Sequence, residues 1–196
     1  MTEPGELTHI NMWGKYCISS INGNQYYVVL VDDCGQFTSL DFTKLKEQAI
    51  QSVKNYVTCL KTLGRKPKAL CFDWGKEVIN EDLRNWCAEQ GIEIQTTAPY
   101  SPAQNGITKC MNQTLVELAC VMINAYELPE ILWELAIAHA PYLQNRAYTS
   151  PLGNHTPYEK WHNNKPNVAH LCKFGAPVWI LHQGQAKQRK IQPKSA

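Results

Sequence analysis

The 196-residue chain has 19 Lys and Arg against 17 Asp and Glu, a formal net charge of +2, and 44% apolar residues. That length and apolar content suit one large domain, or one domain with a tail, and can fill a core. The small net charge argues for no nucleic-acid partner by itself. No stretch approaches the roughly eighteen apolar residues of a membrane span, and Met1-Thr2-Glu3-Pro4 lacks the basic start and apolar run of a signal peptide.

Residues 1–9 are polar and read as a loose lead-in. Cys17-Ile18-Ser19-Ser20-Ile21 and Gln25-Tyr26-Tyr27-Val28-Val29-Leu30-Val31 are apolar and aromatic runs joined by Asn22-Gly23. That dipeptide signals a hairpin, because both residues tolerate positive φ. Thr38-Ser39-Leu40-Asp41-Phe42 alternates weakly and is expected as an edge strand. Thr43 offers an N-cap to a helix in which Ile50, Val53, Tyr56, Val57, Leu60 and Leu63 recur at helical spacing until Gly64. After Pro67, Ala69-Leu70-Cys71-Phe72 reads as a short buried strand. Asn80 is the expected cap of a helix through Leu83, Trp86 and Cys87, closed by Gly91, and Ile92 to Thr96 alternates as a fifth strand. Each central strand–helix–strand step implies a parallel pair with a crossover.

Two more helices follow. One passes through Leu115, Leu118, Ala119 and Met122. The other runs from Pro129 through Trp133, Ala136, Ile137 and Ala140, with Pro141 as a kink or interruption. From Arg146 onward Pro and Gly are frequent and periodicity fades. Residues 146–196 are therefore expected as an extended tail packed on the core, basic and mobile from about residue 185. The eight cysteines are scattered, with no Cys-x-x-Cys pair. They are expected as buried free thiols rather than disulfides or zinc ligands.

One stretch carries more than packing information. Asp73 follows the short strand ending at Phe72, and Pro99-Tyr100-Ser101-Pro102-Ala103-Gln104-Asn105-Gly106 leads into the helix that bears Lys109. Thirty-five residues separate Asp73 from Lys109. His9-Ile10-Asn11-Met12-Trp13-Gly14 precedes this, and Leu128-Pro129-Glu130-Ile131-Leu132-Trp133, Thr156-Pro157-Tyr158-Glu159-Lys160-Trp161 and Phe174-Gly175-Ala176 follow in order. This set resembles the integrase catalytic core of copia-type long-terminal-repeat retrotransposons. The resemblance covers about residues 9–182 and omits the family's amino-terminal zinc-binding module. It implies an α/β, ribonuclease-H-like fold: a five-stranded mixed sheet flanked by helices, plus a C-terminal extension. The implied division is a lead-in over 1–8, a core over 9–145 and the extension over 146–196.

The family's activity is divalent-metal-dependent polynucleotidyl transfer, with Mg²⁺ or Mn²⁺ held by two Asp and one Glu. Two such ions activate the attacking oxygen and stabilise the leaving one, and Mg²⁺ needs hard oxygen ligands, above all carboxylates. The resemblance places Asn11, Asp73 and Lys109 at the three catalytic positions. Asn11 keeps a carbonyl oxygen without the charge, and Lys109 brings an ammonium where a carboxylate belongs. No cofactor is expected on that donor set. Asp32, Asp33 and Glu77 are the neighbouring acids that would have to rescue metal binding, although the Asp pair before Gly35 also suits a simple turn. Trp74 suits a cover over the empty site, ahead of a platform on which a base stacks. His139 suits a partly buried core histidine, and Trp13, Trp86 and Trp133 suit the core.

Three functions follow as expectations. The first is a catalytically silent domain that binds DNA, or RNA, weakly and without sequence preference through Lys15, Lys76 and Lys109, or that serves assembly. The second is a metal-dependent strand-transfer enzyme or nuclease rescued by the neighbouring acids. The third is a homodimerising module, since cores of this family pair through helices on the far side of the sheet. The resemblance also implies a nuclear location, with no membrane association.

Overall fold

Strand β2 (Tyr26–Asp32) reads Tyr-Tyr-Val-Val-Leu-Val-Asp and is apolar on both faces, which is the pattern of a strand covered on both sides. It lies next to β1 (Leu7–Trp13) and β3 (Thr38–Thr43), antiparallel to both. The computed structural model describes residues 3–73, 79–96 and 102–179, with the side chains of residues 102–105 outside the description. β4 (Ala69–Phe72) pairs parallel with β1, and β5 (Glu93–Thr96) pairs parallel with β4. The sheet order is β3-β2-β1-β4-β5. This is the expected five-stranded mixed sheet with β3 at an edge.

Alternation along each strand sends its side chains to two separate cores. Ile10, Val28, Leu30, Leu70 and Phe72 pack on one face with Val53 and Val57 of α1 (Ala49–Thr62) and with Leu83 and Cys87 of α2 (Glu81–Glu89). Tyr27, Val29 and Val31 pack on the other with Leu115 and Ala119 of α3 (Pro102–Asn124) and with Trp133, Ala136, Ile137 and Ala140 of α4 (Trp133–Gln144). Trp13 and Trp86 are half-buried beside these cores, and Trp133 is buried.

Asn80 caps α2 as expected: its side chain accepts from the Leu83 amide at 2.9 Å. That bond satisfies one of the orphan donors of the first turn. Gly91, at φ +69°, closes the same unit.

Several expectations give way. The partner of β2 is Leu7–Trp13, not Cys17–Ile21; the latter lies in the connection, which reverses at Ser20–Gly23 with Gly23 at φ +81°. Residues 3–6 are tied down: Glu6 is buried, and the Gly5 amide bonds to Asp32. Thr43 ends β3 and caps no helix; α1 follows a 3-10 turn over Lys46–Gln48. The crossover through α1 sets β4 beside β1, so β3 and β4 are not neighbours. Of the two outcomes expected at Pro141, interruption does not occur: α4 continues to Gln144.

The extension contains a helix, α5 (Pro157–His162), with a capping box between Thr156 and Glu159 and Pro at its first position. Its Trp161 stacks on Phe37 at 4.8 Å and carries the Arg65 guanidinium 4.3 Å from its ring centre. All eight thiols are free, but only Cys71 and Cys87 are buried; Cys17, Cys59, Cys110, Cys120 and Cys172 are exposed. Among the described residues no helix is long and apolar enough to cross a membrane.

Candidate functional site

Asn11 and Asp73 meet because β1 and β4 are parallel neighbours in register. Ile10 lies opposite Phe72, and the Asp73 amide donates to the Ile10 carbonyl at 3.2 Å. Asp73 therefore stands one residue past the end of β4, level with Asn11. Ile10 and Phe72 face the α1–α2 core, so alternation turns Asn11 and Cys71 toward the face under α3. Asn11 is half-buried there.

α3 crosses that face. Thr108 is buried against the sheet, and Asn112 accepts from the Tyr27 hydroxyl at 2.5 Å, which pins the helix to β2. Lys109 lies between these anchors in sequence and is exposed. Lys15, two residues past β1, is also exposed. Lys76 and Glu77 lie outside the described residues, as does Trp74.

The two remaining acids differ sharply. Asp32 is fully buried, and its two oxygens accept from the Gly5 amide at 2.6 Å and the Gly35 amide at 2.5 Å. It lies opposite Thr8, three residues up β1 from Asn11, or about 10 Å at strand spacing. Burial pushes its carboxyl above the usual range, against the pull of both amides and of the Arg65 charge. Asp32 thus ties the segment before β1 to the turn after β2.

Asp33 is half-buried and meets a side chain of β1. Its Oδ1 lies 3.0 Å from His9 Nε2, and His9 is two residues before Asn11 on the same side of β1. Burial raises the Cys71 thiol, and the charges of Asp73 and then Asp33 raise it further. Asp33 lies opposite Leu7, its amide donating to the Leu7 carbonyl at 3.0 Å, so its backbone is four residues up β1 from Asn11, or about 13 Å at strand spacing.

The donor set at Asn11, Asp73 and Lys109, the positions that the resemblance singles out, is one amide, one carboxylate and one ammonium, with no net charge. That set does not fit a pair of divalent cations. Among the described residues no group of three or more His, Cys, Asp or Glu is arranged to hold a metal ion.

A second polar centre was not visible in the sequence. The buried Glu134 carboxylate accepts from the Ser20 hydroxyl, from Asn22 Nδ2 at 3.0 Å and from Asn24 Nδ2 at 3.0 Å. Tyr16 donates to Glu130, a bond that, with burial, lifts the phenol to about 12. These contacts fasten the β1–β2 connection, which begins just past Trp13 and contains Lys15, to the start of α4. An acid inside an apolar helix was the available signal, but its partners are more than a hundred residues away. His139 is partly buried, and desolvation lowers its pKa.

No family model matches the chain. It is 30% identical over 191 residues, 97% of its length, to the Retrovirus-related Pol polyprotein from transposon TNT 1-94 of Nicotiana tabacum, and spans only 14% of that protein. The simian T-cell lymphotropic virus intasome, solved in complex with PP2A regulatory subunit B56 gamma, contains a similar chain. Its TM-score is 0.65 at 18% identity, covering 92% of this chain and 61% of that one. The HTLV-2 integrase catalytic core domain in complex with magnesium (trimeric form) aligns with a TM-score of 0.59 at 18% identity, covering 82% of this chain and 98% of that one. These two likenesses concern the fold.

Proposed function

This chain belongs to the integrase-core family of copia-type retrotransposon Pol polyproteins, and on that premise we propose that it is a catalytically silent core serving nucleic-acid binding or assembly. The observation that carries this is the pairing of Asn11 with Asp73 across β1 and β4. The strand frame that would aim two carboxylates at one point holds one carboxylate and one neutral amide. Lys109 supplies the opposite charge from the one a metal site needs. Two unit charges about 4 Å apart interact by roughly 4 kcal/mol at an effective dielectric near 20, and a divalent ion doubles that. A lysine there repels the ion and favours an ion pair with Asp73.

Exposed Lys15 and Lys109 supply phosphate contacts, and Lys76, outside the described residues, is the third candidate. Binding through so few lysines is weak, tolerant of sequence and sensitive to salt. DNA is the partner proposed first and RNA second, in a homodimer located in the nucleus. β1 begins at Leu7, which moves the expected lead-in of 1–8 back to the residues before it; the segmentation proposed is a core from Leu7 to 145 and an extension over 146–196.

A metal-dependent enzyme is the second reading, for which Asp33, held 3.0 Å from His9 on the strand that bears Asn11, is the described candidate acid; Asp32 and Glu77 are the other candidates. Strand-transfer assays in Mg²⁺ and Mn²⁺ on this chain and on the Asn11→Asp/Lys109→Glu variant separate the two. Activity confined to the variant supports the silent core. Activity in the present chain that is lost in Asp73→Ala overturns it. For binding, an affinity for duplex DNA unchanged between low and high salt counts against phosphate contacts.

A further inference from the structure

The net charge of +2 conceals two opposite regions. Residues 1–145 hold 11 Lys and Arg against 16 Asp and Glu, a balance of −5. Residues 146–179 hold four, Arg146, Lys160, Lys165 and Lys173, against the single acid Glu159, with three His besides. The fold draws one more cation to this region. Arg65, past the end of α1, lies over the ring of Trp161 in α5, and Arg146, past the end of α4, lies 4.6 Å from the Tyr158 ring centre. Their guanidinium groups bond to carbonyls, Arg65 to that of Pro4 at 2.9 Å and Arg146 to that of Tyr142 at 3.0 Å. Among the described residues no acid forms an ion pair with Arg65, Arg146, Lys160 or Lys165. Cations gathered without counter-ions leave a positive potential that draws anions.

One cavity in this region has donors around it. It measures about 300 Å³ and is lined by His155, Glu159, Lys160, Asn163, Asn164 and Lys165. Asn163, at φ +56°, ends α5 and turns the chain so that Asn164 and Lys165 return beside Lys160. The carboxylate in the lining is already engaged: Glu159 Oε2 accepts from the Thr156 amide at 2.7 Å and lies 3.9 Å from His155 Nδ1. What remains is two ammonium groups and two side-chain amides, all on exposed residues. The carbonyl end of α5 opposes an anion, but with about half a charge against two. No apolar residue lines the cavity, whereas protein interfaces are anchored by large side chains in desolvated pockets. Ammonium and amide donors are the groups that hold a phosphate.

We propose that this cavity takes a phosphate of a nucleic-acid backbone, as a contact region separate from Asn11, Asp73 and Lys109. The proposal rests on the nucleic-acid-binding reading above and adds the extension to its footprint. The contact is with phosphate and not with base edges, so it carries no sequence preference.

Fluorescence anisotropy with a short labelled duplex of arbitrary sequence tests it. The full chain is compared with Lys160→Ala/Lys165→Ala and with Lys44→Ala/Lys61→Ala, which removes equal charge from exposed lysines of the core. Circular dichroism checks that each variant is folded. Loss of the Lys160 and Lys165 pair should weaken binding severalfold at low salt. It should also lower the slope of log affinity against log salt by about 1–2, since each neutralised phosphate contributes about 0.9. The Lys44 and Lys61 pair should leave both nearly unchanged. Equal losses from the two variants would show only net charge at work and overturn the site. Binding that survives Lys160→Ala/Lys165→Ala but is lost in Lys15→Ala/Lys109→Ala also overturns it, while the nucleic-acid reading stands. A full chain that binds no duplex at any salt overturns both. Sedimentation at low salt tests the other occupant. Self-association abolished by Lys160→Ala/Lys165→Ala, with duplex affinity unchanged, would assign the cavity to the acidic region of a second copy and overturn the proposal.

Discussion

Glu134 offers the sharpest test of how the site's surroundings are held. Its carboxylate accepts three side-chain hydrogen bonds, from Ser20, Asn22 and Asn24, and is 7% exposed. Ser20 is itself buried, and its hydroxyl also receives the Asn22 amide at 3.3 Å and the Asn24 amide at 3.0 Å. Glu134→Ala strands that hydroxyl and releases both Asn side chains. Hydrogen bonds to a charged group contribute about 1.5–3 kcal/mol each, but Asn22 and Asn24 regain water when freed. The expected net loss is about 2–4 kcal/mol, or roughly 5–15 °C in Tm for a chain of this size. Glu134→Gln should cost only about 1 kcal/mol. Its amide can keep one oxygen toward Ser20 and Asn24, while Asn22 flips its own amide to accept. Urea denaturation measures both variants, and hydrogen exchange should show residues 17–24 loosening first in the Ala variant. Equal losses for Ala and Gln, or an Ala loss under about 1 kcal/mol, would refute the network as the fastening.

Two further changes test the frame. The Asp32 carboxyl is raised by burial, so the folded chain takes up a proton there at a higher pH than the unfolded chain, whose Asp titrates near 3.9. Its contribution is full below that value and falls as pH rises through the folded pKa. The stability gap between the parent and Asp32→Asn should therefore narrow with rising pH in denaturation series; a widening gap would show a depressed carboxyl instead. Trp161→Ala should cost about 3–5 kcal/mol, because the ring is 6% exposed between Phe37 and Arg65. A loss below about 1 kcal/mol would mean that α5 is not integral to the core.

What the sequence made legible follows from where each signal resides. β2, β4 and β5 are short apolar or alternating runs with turn residues on both sides, and α2 carries its cap in Asn80 and its stop in Gly91. β1 hides from the residue pattern, because Thr8, His9 and Asn11 interrupt its apolar run, and only the resemblance marks His9–Gly14 as the opening strand. Asn22-Gly23 does turn the chain, but the twelve-residue connection it sits in is docked on α4 instead of being a tight hairpin. α5 is signalled by Thr156, Pro157 and Glu159, which spell a capping box with a leading Pro, but a helix of 6 residues is too short to show a period. The exposed cysteines had no signal, since Cys110 and Cys120 sit on the solvent side of an otherwise apolar helix pattern. At the site, the level placement of Asn11 and Asp73 depends on β1 lying beside β4. That adjacency comes from topology, because β3, β2 and the α1 crossover intervene in sequence. The contrast between Asp32 and Asp33 could be read only from their partners, Gly5 and Gly35 for one and His9 for the other.

The frame and the chemistry can be separated experimentally, because backbone pairing rather than side-chain charge brings Asn11 level with Asp73. Restoring Asn11→Asp and Lys109→Glu should therefore leave the sheet intact while placing three carboxylates close together. Their mutual repulsion disfavours ionisation of all three, so the restored variant without metal should be less stable than the parent. Divalent metal should then recover that stability by mass action, by about 2.7 kcal/mol once its concentration reaches a hundredfold over Kd. The parent should show no such gain. Thermal melts with and without Mn²⁺ measure the difference without any activity assay. A parent whose Tm rises with Mn²⁺ as much as the variant's would mean that Asp33, Glu77 or another acid already completes a metal site around Asp73, and the silent-core proposal would fail on stability alone.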